Sequence, residues 1–287
     1  MPGAYQQACM ELDERSFRLE ASGDATITVY QGTKSAGGMA GRTGGEIFFD
    51  ASCLFLASSS RWQLTTARTV RFPRTVAVWN SGILLTRLLD ALCQANPSAL
   101  EGKTVLELGC GTALASIAAA KLGAAAVLAT DANPEVLQLA ARNIARNDVA
   151  DVAVARRLPW GLLDAYDYEG RADVVIGSDL TYNSGAWVAL AETMATVLRP
   201  DGVVLYLSLG HAGFAAGGEV GGFLSVVGSA GLRPLAPDGD EWRARVGDRS
   251  AEDLLAGVIS PEERDVVDAN GGARVVLLGK KKSAMRG

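Results

Sequence analysis

Beyond residue 76, short apolar runs alternate with longer stretches in which apolar residues recur every three or four positions. The short runs predict buried strands, and the longer stretches predict helices with one apolar face. We predict strands over 104–108, 127–130, 152–155, 173–177 and 203–208, and helices over 83–92, 113–122, 133–144 and 187–198. This alternation predicts an α/β fold, with a mostly parallel sheet covered by helices on both faces.

Two helix ends are marked by specific residues. Asn133, Pro134 and Glu135 supply a capping side chain, a proline at the first helical position and an acid in the first turn. Each of these favours the start of a helix. Gly123 follows the Ala-rich stretch and is typical of a helix end.

Residues 1–75 have a different pattern. Alternating residues at 17–20 and 26–30 flank the turn sequence Ser22-Gly23-Asp24 and predict a β-hairpin. The glycines of 32–45 predict a loop, and 51–56 and 62–76 are further strand candidates. We therefore treat 1–75 as an N-terminal β-rich extension.

The C-terminal part predicts an antiparallel edge on the parallel sheet. A helix over 221–230 precedes strand candidates at 232–235 and 274–278. The polar residues 237–272 between these strands predict an insertion with one or two helices, at 251–258 and 261–267.

Composition narrows the class of protein. The 287 residues are 48% apolar and carry 27 Lys and Arg against 32 Asp and Glu, for a net charge of −5. This balance favours a soluble folded protein and argues against a nucleic-acid partner held through phosphates alone. One His and four scattered Cys leave no zinc cluster and favour a reducing compartment.

No segment predicts a secretory signal or a membrane span. The first residues lack a basic and then an apolar region, and the apolar stretch 113–129 is interrupted by Lys121 and Gly123. We expect a monomer without membrane association, in the cytoplasm, with the nucleus as the alternative location.

The strongest chemical signal is the segment 105–112, Val-Leu-Glu-Leu-Gly-Cys-Gly-Thr, together with Asp131. Gly109 and Gly111 lie where a strand turns into a helix, so a ligand can approach the backbone and the free N–H groups of the helix. Asp131 ends the next strand, where a carboxylate can bind ribose hydroxyls. These residues predict a nucleoside cofactor.

The details favour a methyl donor over a dinucleotide. Leu114 stands where a dinucleotide fingerprint has a third Gly or Ala. Glu107 precedes the glycines and would repel a pyrophosphate, whereas it suits a cation such as the α-ammonium of S-adenosylmethionine.

These motifs resemble the first motif of class I methyltransferases. Further motifs resemble methyltransferase family 16, the seven-strand protein lysine methyltransferases with an Asp-x-x-Tyr motif: Val78-Trp79-Asn80-Ser81-Gly82, Leu158-Pro159-Trp160-Gly161 and Gly177-Ser178-Asp179-Leu180-Thr181-Tyr182. The resemblance covers 76–210 closely, and Asn80 departs from the acid or proline expected beside the Trp. It implies a Rossmann-like methyltransferase domain over 76–287.

The resemblance also implies which residues line the cofactor, S-adenosylmethionine. They are Trp79, Gly109, Cys110, Gly111, Asp131, Trp160 and Ser178, to which the argument above adds Glu107. Cys110 is expected to contribute its backbone only, since nothing around it predicts a reactive thiol.

Asp179 and Tyr182 are the candidate catalytic residues. They follow the fourth strand of the methyltransferase domain, where parallel sheets place ligands outside their carboxyl ends. A carboxylate and an aromatic face attract an ammonium and hold its carbon stem. These residues suit methylation of an amine, and the family resemblance implies that this amine is a lysine side chain of a protein substrate. We expect Asp179 to position the amine rather than to act as a base. His211 is left without a role.

Two alternatives stay open at this point. The acceptor could be a small-molecule or nucleic-acid amine, because Asp-Leu-Thr-Tyr occupies the place of Asn-Pro-Pro-Tyr in adenine methyltransferases. The missing prolines and the acidic charge count against nucleic acid. The third reading is a cofactor-binding interaction module without catalysis.

Overall fold

The computed structural model describes residues 14–21, 23, 25–30, 80–209, 218–237, 239–269 and 272–281. Several features predicted from the sequence lie outside these residues: Trp79, His211, the glycine-rich loop over 32–45 and the strand candidates 51–56 and 62–76.

The described strands are β1 (Glu14–Leu19), β2 (Ala25–Tyr30), β3 (Thr104–Leu108), β4 (Ala126–Asp131), β5 (Ala153–Arg157), β6 (Ala172–Ser178), β7 (Leu198–Leu209), β8 (Leu232–Pro234) and β9 (Ala273–Lys280). The described helices are α1 (Asn80–Ala95), α2 (Leu114–Lys121), α3 (Pro134–Arg146), α4 (Leu162–Ala165), α5 (Trp187–Val197), α6 (Gly218–Val227), α7 (Asp240–Val246), α8 (Ala251–Val258) and α9 (Pro261–Ala269).

Seven strands form one sheet in the order β5-β4-β3-β6-β7-β9-β8. The pairs from β5 to β7 are parallel, and β9 pairs antiparallel with both β7 and β8. The predicted parallel sheet with an antiparallel edge is therefore confirmed. The predicted start of α3 is confirmed too, because the Asn133 side chain accepts a hydrogen bond from the Glu135 N–H at 2.9 Å.

Helices cover both faces of the sheet and form two apolar clusters. Alternate residues of β7 point to opposite clusters: Leu205 joins the cluster with α1, α2 and α3, whereas Tyr206 joins the one with α5 and α6. This period of two is the expected geometry of a strand buried on both faces. Within the described residues no helix is long and apolar enough to cross a membrane.

The predicted N-terminal hairpin is confirmed and packs against the larger sheet's helical layer. β1 and β2 pair antiparallel, and Phe17 and Ile27 are buried in the same cluster as α1, α2 and α3. Asn147 at the end of α3 accepts a hydrogen bond from the Thr28 N–H at 2.8 Å and donates to the Thr28 carbonyl at 2.6 Å. These bonds tie the Thr28 backbone in β2 to the end of α3.

The segment between β8 and β9 contains three helices, one more than predicted. The sequence predicts α8 and α9, whereas α7 is only seven residues long and lacks a side-chain cap. Trp242 of α7 is 1% exposed and joins the core cluster of the hairpin. Glu263 of α9 forms an ion pair with Arg87 of α1 at 3.0 Å. The insertion is thus packed on the sheet's helical layer.

Asp90 of α1 anchors the turn of the hairpin, and we expect Asp90→Ala to destabilise the protein. Its carboxylate accepts hydrogen bonds from the Glu20 and Ala21 N–H groups at 2.9 and 2.8 Å. Removing the carboxylate loses two hydrogen bonds to a charged group, at a cost of about 1.5–3 kcal/mol in the free energy of unfolding. Urea unfolding measures this loss, and Asp90→Asn, which keeps one acceptor oxygen, should lose less. Equal stability of Asp90→Ala and the parent would contradict the anchoring role.

Candidate functional site

The candidate site lies where the strand order of the sheet reverses. β3 and β6 are neighbours, but the chain runs outward from β3 through β4 to β5 before it returns to β6. Helices leave such a point toward opposite faces, so a crevice opens at the carboxyl ends of the central strands. Within the described residues, the ends of β3, β4 and β6 and the loops after β3, β5 and β6 carry the residues that the sequence singled out.

The loop after β3 has a backbone that favours glycine and open space above it. Gly109 and Gly111 have positive φ angles of 62° and 52°. A Cβ on Gly111 would meet no atom within 4 Å, and Gly109 is exposed. The Cys110 N–H donates to the Thr130 carbonyl at 2.8 Å, which ties the loop to the end of β4. The loop is fixed in place while its glycines stay accessible.

Asp131 lies beside this loop, as the sequence predicts for the acid after β4. Its Oδ2 accepts from the Gly111 N–H at 3.4 Å and its Oδ1 from the Asn133 N–H at 2.9 Å. The carboxylate is half-buried, and burial raises its pKa above the usual value while the backbone N–H bonds oppose that rise. The structure therefore brings a charged acceptor within reach of the glycine loop.

Glu107 is placed differently from the expectation of a contact with a cationic ligand. Its side chain is buried, and Oε2 accepts from the Ser116 N–H at 2.9 Å and from the Ser116 hydroxyl. Burial raises its pKa to about 7, against the lowering effect of the Ser116 bonds. This carboxylate supports the first turn of α2 from inside the protein.

Cys110 is buried directly after the first glycine. Burial, together with the nearby charges of Glu107 and Asp131, raises the pKa of its thiol well above the ordinary value. A thiol with a raised pKa is a poor nucleophile at neutral pH. Its backbone N–H, which holds the loop to β4, is the part that bears on the site.

Trp160 lies beside the glycine loop, on the chain that follows β5. The Leu158 N–H donates to the Asp131 carbonyl at 3.0 Å, so this segment runs next to the ribose-binding candidate. The Cζ2 atom of the half-buried indole is 3.8 Å from the position that a Cβ on Gly109 would take. The structure thus brings together three of the predicted cofactor residues: Gly109, Asp131 and Trp160.

The loop after β6 starts with Ser178, half-buried at the end of the strand, and Asp179. Asp179 has a φ of 51°, a conformation that Asp tolerates better than most residues. Its N–H donates to the Leu207 carbonyl at 3.0 Å, and its Oδ1 accepts from the Leu209 N–H at 2.6 Å. The carboxylate is therefore tied to the end of β7.

Leu180 joins the loop after β6 to the glycine loop. A Cβ on Gly109 or on Gly177 would stand 2.7 Å from a methyl carbon of Leu180, closer than any real contact of that kind. The Leu180 side chain is 5% exposed, whereas Tyr182 two residues later is 59% exposed. Leu180 and Thr181 are buried, and the ring of Tyr182 directly after them is exposed to solvent.

The start of α1 contributes a buried polar group. Asn80 is 4% exposed, and its Nδ2 has no hydrogen-bond partner in the part of the chain that the structure describes. A buried donor without an acceptor costs about 1–3 kcal/mol, which a ligand oxygen would offset. Asn80 stands at the position beside Trp79 where the family resemblance leads us to expect an acid or a proline.

A sequence model of the lysine methyltransferase family matches residues 64–210, just over half of the chain. The chain belongs to the lysine methyltransferase family. The match includes the glycine loop, Asp131, Trp160 and the loop from Ser178 to Tyr182. It also confirms the family resemblance that these motifs carry.

Curated relatives match a shorter stretch of this protein than the family model does. The protein is 40% identical over 119 residues to the ribosomal protein L11 methyltransferase of Chromohalobacter salexigens, covering 41% of this chain and 37% of that one. The L11 methyltransferase of Thermotoga petrophila is 37% identical over 105 residues, covering 37% and 36%. The aligned region is thus only about a third of each relative's length.

Among solved structures, the ribosomal protein L11 methylase of Lactobacillus delbrueckii subsp. bulgaricus is similar to 71% of this chain. The match covers 80% of that protein, with a TM-score of 0.45 and 19% sequence identity.

S-adenosylmethionine is the cofactor of this lysine methyltransferase family member, and the residues present suit it. Gly109 and Gly111 leave room at the backbone, Asp131 offers a charged acceptor for hydroxyl groups, and Trp160 offers an aromatic face. The buried Asn80 amide adds a donor that has no partner among the described residues. When bound, the cofactor supplies a methyl group on a sulfonium sulfur.

Sequence reasoning missed the residues that hold the loop after β6 from behind, Tyr206 and Glu219. They lie 24 to 40 positions along the chain from Asp179–Tyr182, and no local spacing marks them. A tyrosine inside a strand predicted to be buried was the available signal, because a buried hydroxyl needs a hydrogen-bond partner.

The raised pKa of Glu107 predicts a pH-dependent stability that Glu107→Gln removes. The pKa rises from an ordinary 4.5 to about 7 in the folded state. The folded protein then binds more protons than the unfolded chain between these values, so the parent loses stability as pH rises through this window. Urea unfolding of both proteins from pH 4.5 to 7 should show the parent falling relative to the variant. A constant difference between them would refute the raised pKa.

Asp131→Ala should weaken cofactor binding in a folded protein. Losing hydrogen bonds from hydroxyl groups to a carboxylate should cost about 1.5–3 kcal/mol, or about 10- to 150-fold in Kd. Calorimetry with S-adenosylhomocysteine measures the change, and Asp151→Ala, an exposed acid in the turn before β5, is the matched control. An unchanged Kd for Asp131→Ala would remove this residue from the site.

Proposed function

We propose that this protein transfers a methyl group from S-adenosylmethionine to the side-chain amine of a lysine in a protein substrate. Membership in the lysine methyltransferase family supports the reaction, and the partial similarity to ribosomal protein L11 methyltransferases supports a protein as acceptor. Cofactor-lining roles are proposed for Gly109, Gly111, Asp131, Trp160 and Ser178, and for Trp79 outside the described residues.

The observation that carries the proposal is the arrangement of the loop after β6. Leu180 is packed under Gly109, so the loop lies against the glycine loop on which the donor is proposed to bind. The half-buried carboxylate of Asp179 and the exposed ring of Tyr182 belong to this same loop. A carboxylate and an aromatic ring beside a donor site suit a cationic amine with an aliphatic stem.

Each of these two side chains has a distinct proposed task. The charge of Asp179 attracts the lysine ammonium, and the ring of Tyr182 packs against the methylene stem. A free lysine has a pKa of about 10.4, so the attacking nitrogen must first lose a proton. A nearby carboxylate raises that pKa, so Asp179 positions the amine, and desolvation by the surrounding protein favours the neutral form.

Asp179→Asn should reduce methyl transfer without changing cofactor binding. The amide oxygen of Asn can still accept from the Leu209 N–H, and Asn tolerates the positive φ, so the variant removes the charge alone. Tyr182→Phe keeps the ring and should retain more activity than Tyr182→Ala. Lost positioning should cost about 10- to 100-fold in rate. Full activity of Asp179→Asn at equal S-adenosylhomocysteine affinity would place the substrate pocket elsewhere.

The acceptor class is tested by incubating the protein with methyl-labelled donor and a cell lysate and resolving the products. Label on a discrete protein band, retained as methylated lysine after hydrolysis, supports the proposal. Label on RNA, DNA or small metabolites would instead support the alternative amine acceptors. No label above that of an Asp131→Ala control would favour a binding module.

A further inference from the structure

A chain of buried hydroxyl groups lies behind the loop after β6. Leu180 and Thr181 donate their backbone N–H groups to the Tyr206 hydroxyl oxygen at 3.0 and 3.2 Å. The Tyr206 hydroxyl lies 2.9 Å from the Thr181 hydroxyl, which itself contacts the Glu219 carboxylate. Tyr206 and Thr181 are fully buried, and Glu219 is 4% exposed.

The direction of every proton in this chain follows from the number of donors. Thr181 has one hydroxyl proton, and it donates this proton to the Glu219 carboxylate. The Thr181 oxygen then accepts from the Tyr206 hydroxyl, whose oxygen accepts the two backbone N–H groups. Burial and the charge of Asp179 raise the pKa of Tyr206, so its hydroxyl keeps its proton.

Other contacts fix the remaining backbone groups of the loop. The Asp179 N–H donates to the Leu207 carbonyl, and the indole N–H of Trp187 donates to the Thr181 carbonyl at 2.7 Å. Gly222 of α6 leaves the space for that indole ring, because a Cβ there would overlap it. The backbone from Asp179 to Thr181 is thus held at each peptide group, and Tyr182 follows directly.

We propose that Tyr206, Thr181 and Glu219 are positioning residues, which set the direction in which the Tyr182 ring faces the substrate lysine. This inference rests on the proposed function of Tyr182. Two donors on one tyrosine oxygen fix the orientation of two successive peptides, and a peptide rotation there would turn the next side chain away. The Glu219 carboxylate, which accepts from the Thr181 hydroxyl, lies in the first turn of α6, where the helix N-terminus favours a negative charge.

Thr181→Val and Thr181→Ser form the matched pair of variants that tests the chain. Valine has the same shape as threonine without the hydroxyl, whereas serine keeps the hydroxyl and loses only the methyl group. In Thr181→Val, the backbone amides of Leu180 and Thr181 should exchange hydrogen faster, because Tyr206 loses its acceptor. In Thr181→Ser, these amides should exchange as slowly as in the parent. Equal exchange rates in the two variants would contradict the proposed chain of hydrogen bonds.

The effect on function is measured with the protein band labelled in the lysate experiment. Thr181→Val should lower kcat about 10- to 100-fold, with unchanged S-adenosylhomocysteine affinity, and Thr181→Ser should restore it. Tyr206→Phe should show the same defect. A loss of cofactor affinity in parallel with kcat would indicate general destabilisation and overturn the positioning role.

A double-mutant cycle separates this inference from the proposed function. If the chain acts through Tyr182, Thr181→Val should cost nothing further in a Tyr182→Ala background. Additive losses would overturn the inference while leaving the proposed function in place. Full activity of Tyr182→Ala would instead remove the proposed role of Tyr182. In that case, Tyr206, Thr181 and Glu219 could not act by positioning the Tyr182 ring.

Discussion

The contact of Leu180 with two glycines sets the geometry of the whole site. β3 and β6 are hydrogen-bonded neighbours, so the loops that leave their carboxyl ends must share one small space. Gly109 and Gly177 lack side chains where Leu180 enters, and a Cβ at either position would overlap it. The loop proposed to bind the donor and the loop proposed to bind the lysine therefore keep one fixed separation. In-line transfer between two bound groups needs such a fixed separation.

The polar chain behind the loop complements this apolar contact. Packing of Leu180 fixes where the loop lies, but it does not fix the rotation of the peptide groups around it. The left-handed conformation of Asp179 costs about 1–2 kcal/mol, and it persists only where the surroundings enforce it. The bonds from Leu209 to the Asp179 carboxylate and from two N–H groups to Tyr206 supply that enforcement. Burying these groups is tolerable because each one has a partner.

The sequence predicts the elements well where local rules decide them. The bounds of β3 and α8 agree with the structure to the residue, and α3 begins at the predicted Asn133 cap. Local pattern fails for α4 and α7, because a helical period of 3.6 residues cannot be recognised within four or seven residues. It also fails for β7, which starts at Leu198 rather than near 203, because pairing of Leu198 with Ala172 extends it.

The same distinction applies to the site: local sequence order predicts some of its residues, whereas others depend on long-range contacts. Gly109, Gly111 and Asp131 are recognisable because a strand, a turn and an acid stand in a fixed order along the chain. The links that hold the loop after β6 join Thr181 to Tyr206 of β7 and to Glu219 of α6 through their side chains. Such links depend on which strands become neighbours, which no spacing encodes. The inward turn of Glu107 toward Ser116, nine positions further along the chain, is likewise not marked by any spacing in the sequence.

The inward turn of Glu107 explains how the glycine loop stays open without becoming loose. The carbonyl of Glu107 accepts from the Thr130 hydroxyl at 2.6 Å, and the carbonyl of Thr112 accepts from the Asn143 amide at 2.9 Å. Both ends of the loop are therefore tied to β4 and α3, while the Glu107 carboxylate holds the start of α2 through Ser116. These three supports come from buried side chains, Thr130, Asn143 and Glu107. The upper side of the loop keeps free space for a ligand, and a backbone already in place loses little entropy when that ligand binds.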